Sequence, residues 1–172
     1  MKIKQITQDK IKVGYLLIEG SINIDSNYFI KQIDKGVSQN DNQNFKTNVT
    51  GFMTSYVYFN QDHNFTKTLL PLFDYLDTLK NIAPYYLINS WGVKESFTHF
   101  TREHTHVPNY LSGIIYLNNH NQTLIFPEIK KELKPKKNSF IIFSSFLNHK
   151  TIRNTSKTNK YALSFNLQYQ GD

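Results

Sequence analysis

The chain contains no cysteine. Disulfides, thiolate metal sites and cysteine nucleophiles are thereby excluded. Long hydrophobic runs are also missing: nothing approaches the roughly 18 apolar residues that a membrane span needs. The start, Met1-Lys2-Ile3-Lys4-Gln5, lacks the apolar stretch of a signal peptide. Arginine is nearly absent, with Arg102 and Arg153 standing among 20 basic residues that are otherwise lysine. There is no Gly-rich phosphate loop and no Gly-x-Ser-x-Gly elbow, so hydrolase and nucleotide-phosphate readings have no support. The expectation is a soluble cytoplasmic protein of a bacterium or a virus-infected host cell, with no membrane partner.

What is present suits one folded domain over residues 1–172, large enough to bury a core without staples. The 13 Phe and 11 Tyr favour a β-rich interior. The net charge of +7 permits nucleic-acid contact, yet charge alone is a weak warrant. The wealth of Lys, Asn, Ile, Tyr and Phe reads as drift of an A/T-rich genome. A basic surface slightly favours an anionic substrate. Lys130–Lys137 is the densest charge run, read as a solvated connection or, more sharply, an electropositive rim. Oligomeric state is not written in the sequence.

Residues 11–18 alternate like a strand, and the polar stretch 38–48 reads as a loop. Residues 50–58 are β-prone. Leu69, Leu70, Leu72, Phe73, Leu76 and Leu79 have helical spacing, which predicts a helix over 68–79 with Thr68 as cap and Pro71 in the first turn. Beyond it the sequence predicts short strands at 85–92, 96–100, 111–117, 123–126, 139–144 and 161–168. Asn138 ends a turn where a positive φ is expected. The fold class is mostly β with an N-terminal helix, as a barrel or a double-sheet jelly roll.

The chemistry-bearing feature is His104-Thr105-His106, with His149 on a later segment. Residues i and i+2 of an extended segment share a face. A third imidazole completes a three-point cap on a metal and leaves positions open for substrate and O₂. The reading for His106 also includes a residue that orients a neighbour or a bound water. His99 falls on the opposite face by alternation, and His63 and His120 lie in polar stretches and are expected at the surface. Trp91 is a core residue or a substrate platform. Asn118 and Asn166 either line the pocket or reflect the abundance of Asn.

In order along the chain stand Ser90-Trp91-Gly92, His104-Thr105-His106, Ser112-Gly113-Ile114-Ile115-Tyr116 and Ser164-Phe165-Asn166. This ordered set resembles the 2-oxoglutarate/Fe(II)-dependent dioxygenase superfamily, closest to its bacterial and phage branch of 2OG-Fe(II) oxygenases. The resemblance covers about residues 46–168, leaving 1–45 as an N-terminal extension. It implies a double-stranded β-helix, cupin-like in form, holding Fe(II). His104, His106 and His149 would be the metal ligands, with no catalytic residue separate from them. Tyr116 and Lys160 would hold the remote carboxylate of the co-substrate 2-oxoglutarate. The implied reaction is hydroxylation of an unidentified substrate with O₂, releasing succinate and CO₂.

The sequence departs from that family in two places. His106 stands where the second ligand is usually Asp or Glu, which makes the site more cationic. Lys160 stands where most members have Arg, giving a point charge without the bidentate fork. Two other readings therefore remain: a cupin-type three-His metalloprotein without 2-oxoglutarate, and a non-enzymatic jelly-roll binding module with incidental histidines.

Overall fold

Alternation along the strands decides the architecture. In β10 (Lys160–Tyr169) the side chains of Leu163, Phe165 and Leu167 enter one apolar cluster. Lys160, Ala162, Ser164 and Asn166 point to the other face. Neighbouring β5 (Leu111–Tyr116) follows the same rule, with Leu111 and Ile115 in the cluster and Ile114 and Tyr116 opposite. One face of the sheet is thus committed to packing, and the other is free to carry chemistry.

The computed structural model describes residues 2–8, 11–39 and 47–171. The remaining strands of the large sheet are β1 (Lys2–Gln8), β2 (Ile11–Ser21), β3 (Phe52–Met53), β4 (Tyr85–Glu95) and β8 (Ser139–Ser144). Their order is β1-β2-β8-β5-β10-β4-β3, with every pairing antiparallel. A small antiparallel sheet, β7-β6-β9, is built from β6 (Leu124–Phe126), β7 (Lys131–Leu133) and β9 (Lys150–Thr151).

Two helices cover the packing face. Helix α1 (Ser26–Gln39) buries Phe29 and Ile33, and the Asp25 carboxylate accepts from Tyr28 N at 3.1 Å to cap it. Helix α2 (His63–Asp77) buries Phe65, Leu69, Leu72 and Leu76. These side chains join Leu16, Ile18, Ile142 and the inward residues of β5 and β10 in the main core. The approach is close enough that a Cβ on Gly113 would collide with the Phe165 ring. A second cluster fills the space toward the small sheet, from Tyr15, Leu17, Ile141 and Phe143 on one side and Leu124 and Phe126 on the other. Leu16 and Leu17 therefore serve opposite cores, as do Ile142 and Phe143.

The strands at 11–18, 85–92, 111–117, 123–126, 139–144 and 161–168 lie where the alternation predicts, within a few residues. Asn138 has the expected positive φ, 65°. Several expectations need correction. The helix around Leu69 begins at His63, not Thr68: Asp62 caps it by accepting from Phe65 N at 2.9 Å, and Pro71 sits in its interior. The segment 96–100 is a turn. Strand β4 runs on to Glu95, Thr98 adopts φ 70°, and His99 Nδ1 accepts from Ser96 N at 3.1 Å. The strand expected over 50–58 shrinks to Phe52–Met53, followed by turns. Helix α1 and strands β1, β7 and β9 have no counterpart among the elements expected from the sequence. The polar stretch 38–48 falls mostly outside the described residues. Residues 11–39 are integral to the sheet and core, because β2 pairs with β8 and α1 packs on β4. No helix among the described residues is long and apolar enough to cross a membrane.

Candidate metal centre

His104 and His149 face each other across an isolated antiparallel bridge. His104 N donates to His149 O at 3.1 Å, and His149 N donates to His104 O at 3.0 Å. The bridge ties the approach to β5 to the segment just before β9. His106, two residues beyond His104, is held by its own N–H to Ser145 O at 2.8 Å. The three rings converge, with centroids 4.3 Å apart for His104–His149 and 5.0 Å for each of the other two pairs. One potential ligand atom from each residue lies within 4.8 Å of the others.

The proton positions follow from the acceptors around the rings. His104 Nδ1 meets Arg102 O at 2.8 Å, His149 Nδ1 meets Leu147 O at 3.1 Å, and His106 Nδ1 meets Asn166 Oδ1 at 2.7 Å. Carbonyl oxygens only accept, so each Nδ1 carries the proton and each Nε2 presents a lone pair. Burial lowers all three pKa values, to about 4 for His106 and well below the usual range for His149. Mutual repulsion within the cluster adds to this for His106 and His149. The imidazoles are therefore neutral. His104 and His106 bring two Nε2 atoms to 3.1 Å with no proton assigned between them. That is about the separation of two adjacent ligands at right angles on metal–nitrogen bonds of about 2.1 Å. Neutral, preoriented and mutually repelling lone pairs fit a divalent cation.

Asn166 fixes the odd member of the set. Its Oδ1 also accepts from Ser112 Oγ at 2.7 Å, and its Nδ2 donates to Asn89 Oδ1 at 2.9 Å. Trp91 is 5% exposed and stacks on His106 at 6.0 Å and 21°. It is both core and wall of the site, where the sequence offered these as alternatives. Among the described residues no carboxylate joins the cluster; Glu103, adjacent to His104, turns outward to Lys150 at 2.8 Å.

Two spaces meet at the histidines. Outside lies a cleft of about 290 Å³ lined by Tyr56, Trp91, His104, His106 and the amides of Asn48, Asn89, Asn109 and Asn166, among others. Among the described residues no charged side chain lines it, and none of the lysines of 130–137 reaches it. Inside lies a cavity of about 60 Å³ bounded by all three histidines together with Tyr116, Lys160, Glu95 and apolar side chains. Tyr116 and Lys160 thus share one cavity with the triad. Burial, and then the charge of Glu95, raise the Tyr116 phenol's pKa, so it stays a hydrogen-bond donor. Lys160 is 4% exposed and forms an ion pair with Glu95, which is fully buried. The Glu95 carboxylate also accepts from Thr101 Oγ1 at 3.1 Å and Gln122 Nε2 at 3.2 Å.

Glu95 was not singled out by the sequence. It ends the mostly buried stretch 90–95 of β4 and lies directly opposite Lys160 in the β4–β10 register. His99 lies outside the triad and accepts a backbone hydrogen bond, and His63 is exposed, both as expected. His120 is a correction: it is 7% exposed, with its ring between Thr158 O at 3.1 Å and Gln122 N at 3.1 Å. Asn118 serves the backbone, donating to Asn159 O and accepting from Tyr161 N.

No protein-family model matches the sequence, and no curated protein matches it. Solved structures do. The viral collagen prolyl hydroxylase of Paramecium bursaria Chlorella virus-1, in complex with 2-oxoglutarate, has a TM-score of 0.71 at 16% identity, over 91% of this chain and 96% of that one. A prolyl-4-hydroxylase of Pseudomonas putida has a TM-score of 0.66 at 11% identity, over 90% and 93%. HygX of Streptomyces hygroscopicus, with nickel and 2-oxoglutarate bound, has a TM-score of 0.62 at 10% identity, over 91% and 82%. The fold of this chain is therefore that of the prolyl hydroxylases and 2-oxoglutarate/Fe(II) oxygenases, the group its His-x-His and strand motifs resemble.

Proposed function

We propose that this chain is a non-haem iron oxygenase that uses a 2-oxo acid and O₂ to hydroxylate its substrate. The observation that carries this is the triad: three neutral imidazoles, each with Nδ1 tied to a carbonyl and Nε2 turned inward. His104, His106 and His149 would hold Fe(II), which supplies the oxidising chemistry when bound. Net, the 2-oxo acid loses CO₂ and gives up two electrons. A C–H bond of the substrate gives up the other two. One oxygen atom ends in the shortened carboxylate and one in the new hydroxyl. With 2-oxoglutarate, the molecule bound in the viral and Streptomyces neighbours, the by-product is succinate.

The chain's own residues supply orientation and exclusion of water. Asn166 holds His106 in its tautomer. Tyr116 offers a phenol proton at the inner end of the cavity, beside Lys160 and its ion-pair partner Glu95. Asn48, Asn89 and Asn109 offer amides to a substrate in the outer cleft, beside Tyr56 and the edge of Trp91. This lining suits a neutral, hydrogen-bonding group.

The test is an anaerobic titration of the protein with Fe(II) and then with 2-oxo acids, following the visible metal-to-ligand charge-transfer band. The band should form in the wild type and be absent in His149→Ala. Metal binding without a band for any 2-oxo acid favours the cupin-type reading. No metal binding at all returns the chain to a binding module.

A further inference from the structure

The inner end of the cavity carries a feature that a site for a dicarboxylate does not need. Among the described residues Lys160 is the one lysine or arginine lining it, and its charge is already matched by Glu95. The match is built in. The two residues are direct cross-strand partners in β4 and β10, so the backbone register itself sets them side by side. Thr101 and Gln122 donate to the carboxylate's Oε1 at 3.1 and 3.2 Å, while Oε2 faces Lys160. Glu95 is fully buried and Lys160 nearly so. A buried ion pair holds together because each charge has only the other to compensate it.

Resting on the oxygenase reading above, we infer that Glu95 is a specificity-determining residue: a carboxylate of the protein that takes the seat of the co-substrate's remote carboxylate. A dianionic 2-oxo acid entering this cavity meets a neutral pair and brings a second negative charge near Glu95 in a low-dielectric interior. A 2-oxo acid with a short, uncharged tail brings only the carboxylate that faces the metal. Size agrees with charge. About 60 Å³ is room for about four waters, a better match to a three- or four-carbon acid than to 2-oxoglutarate. The apolar walls, Val93, Ile114, Leu124 and Ala162, suit a methyl or ethyl tail. The electron balance is unchanged: pyruvate would leave as acetate and CO₂, as 2-oxoglutarate leaves as succinate and CO₂.

The experiment compares pyruvate, 2-oxobutyrate and 2-oxoglutarate in the anaerobic charge-transfer titration of the Fe(II)-loaded wild-type protein. The short acids should half-saturate the band at a concentration at least about tenfold below 2-oxoglutarate, the weight of roughly one imperfectly compensated charge. Glu95→Gln keeps the shape and frees Lys160. It should tighten 2-oxoglutarate by about tenfold or more and make this acid raise the melting temperature more than it does in the wild type. If the wild type binds 2-oxoglutarate as tightly as the short acids, the inference is overturned while the oxygenase reading stands, and this arm needs no variant to fold. If Glu95→Gln folds and its preference is unchanged, Glu95 is a scaffold residue only. If no acid gives the band, the oxygenase reading falls and this inference with it.

Discussion

The two ends of the inner cavity use polar residues in opposite ways. At the metal end, three imidazoles have their outer nitrogens satisfied and their inner nitrogens left without a proton donor. At the far end, Lys160 and Glu95 satisfy each other, and Thr101 and Gln122 occupy the remaining carboxylate oxygen. One end holds open valence; the other has closed it. An unsatisfied buried polar group costs stability, so a cluster of them invites a ligand. A buried pair that balances its own charge asks for no counter-ion.

The sharpest way to break this comparison is His149→Ala. It should abolish stoichiometric Fe(II) binding, measured by calorimetry under anaerobic conditions, because a facial cap cannot lose the buried member of three. If iron still binds with full stoichiometry, the metal end has been placed wrongly.

The far end should fail differently. Lys160→Met leaves Glu95 buried and unpaired and should cost about 3–5 kcal/mol in urea unfolding. Adding Glu95→Leu should recover most of that loss, since a well-packed apolar pair often replaces a buried ion pair at little cost. Without recovery in the double variant, the pair would have to serve stability beyond its own charges.

Acid should act on the metal end. The triad's folded pKa values lie below the ordinary histidine value of 6.5, to about 4 for His106. Between those limits the unfolded chain binds protons that the folded chain refuses, so folding weakens as pH falls. The metal-free protein should be most stable above about pH 6.5 and lose stability steadily toward pH 4. Bound metal should delay the loss. A flat melting profile over that window would show the imidazoles are less buried than described.

A smaller effect is expected from Asn166→Ala. It removes the acceptor that fixes His106 but no ligand, and should weaken metal affinity by about 10–100-fold. Asn166→Asp, which keeps an acceptor there, should restore most of it. Equal loss in both would point to packing rather than to the hydrogen bond.

Features carried by local pattern were legible in the sequence, and features carried by register were not. His104 and His106 could be placed on one face because i and i+2 alternate. The turn at Asn138 announced itself by residue type. Lys160 and Tyr116 share the triad's cavity, but the partner of Lys160 depends on how β4 slides along β10. No sequence window contains that information. The same reason hid His120, whose burial is set by Thr158 on a distant loop. Helix α1 was missed because its apolar positions, Phe29, Ile30, Ile33 and Val37, sit among polar residues. The strand expected at 96–100 failed because His99 caps a turn there instead.

The His104–His149 bridge has a consequence for measurement. Each of these residues donates its amide to the other's carbonyl, and both amides belong to the residues proposed to grip the metal. Loading the site would pin the same two segments whose separation exposes these N–H groups. Their hydrogen–deuterium exchange rates should therefore slow together on metal addition, making the clasp its own occupancy gauge, readable with no substrate, colour or turnover.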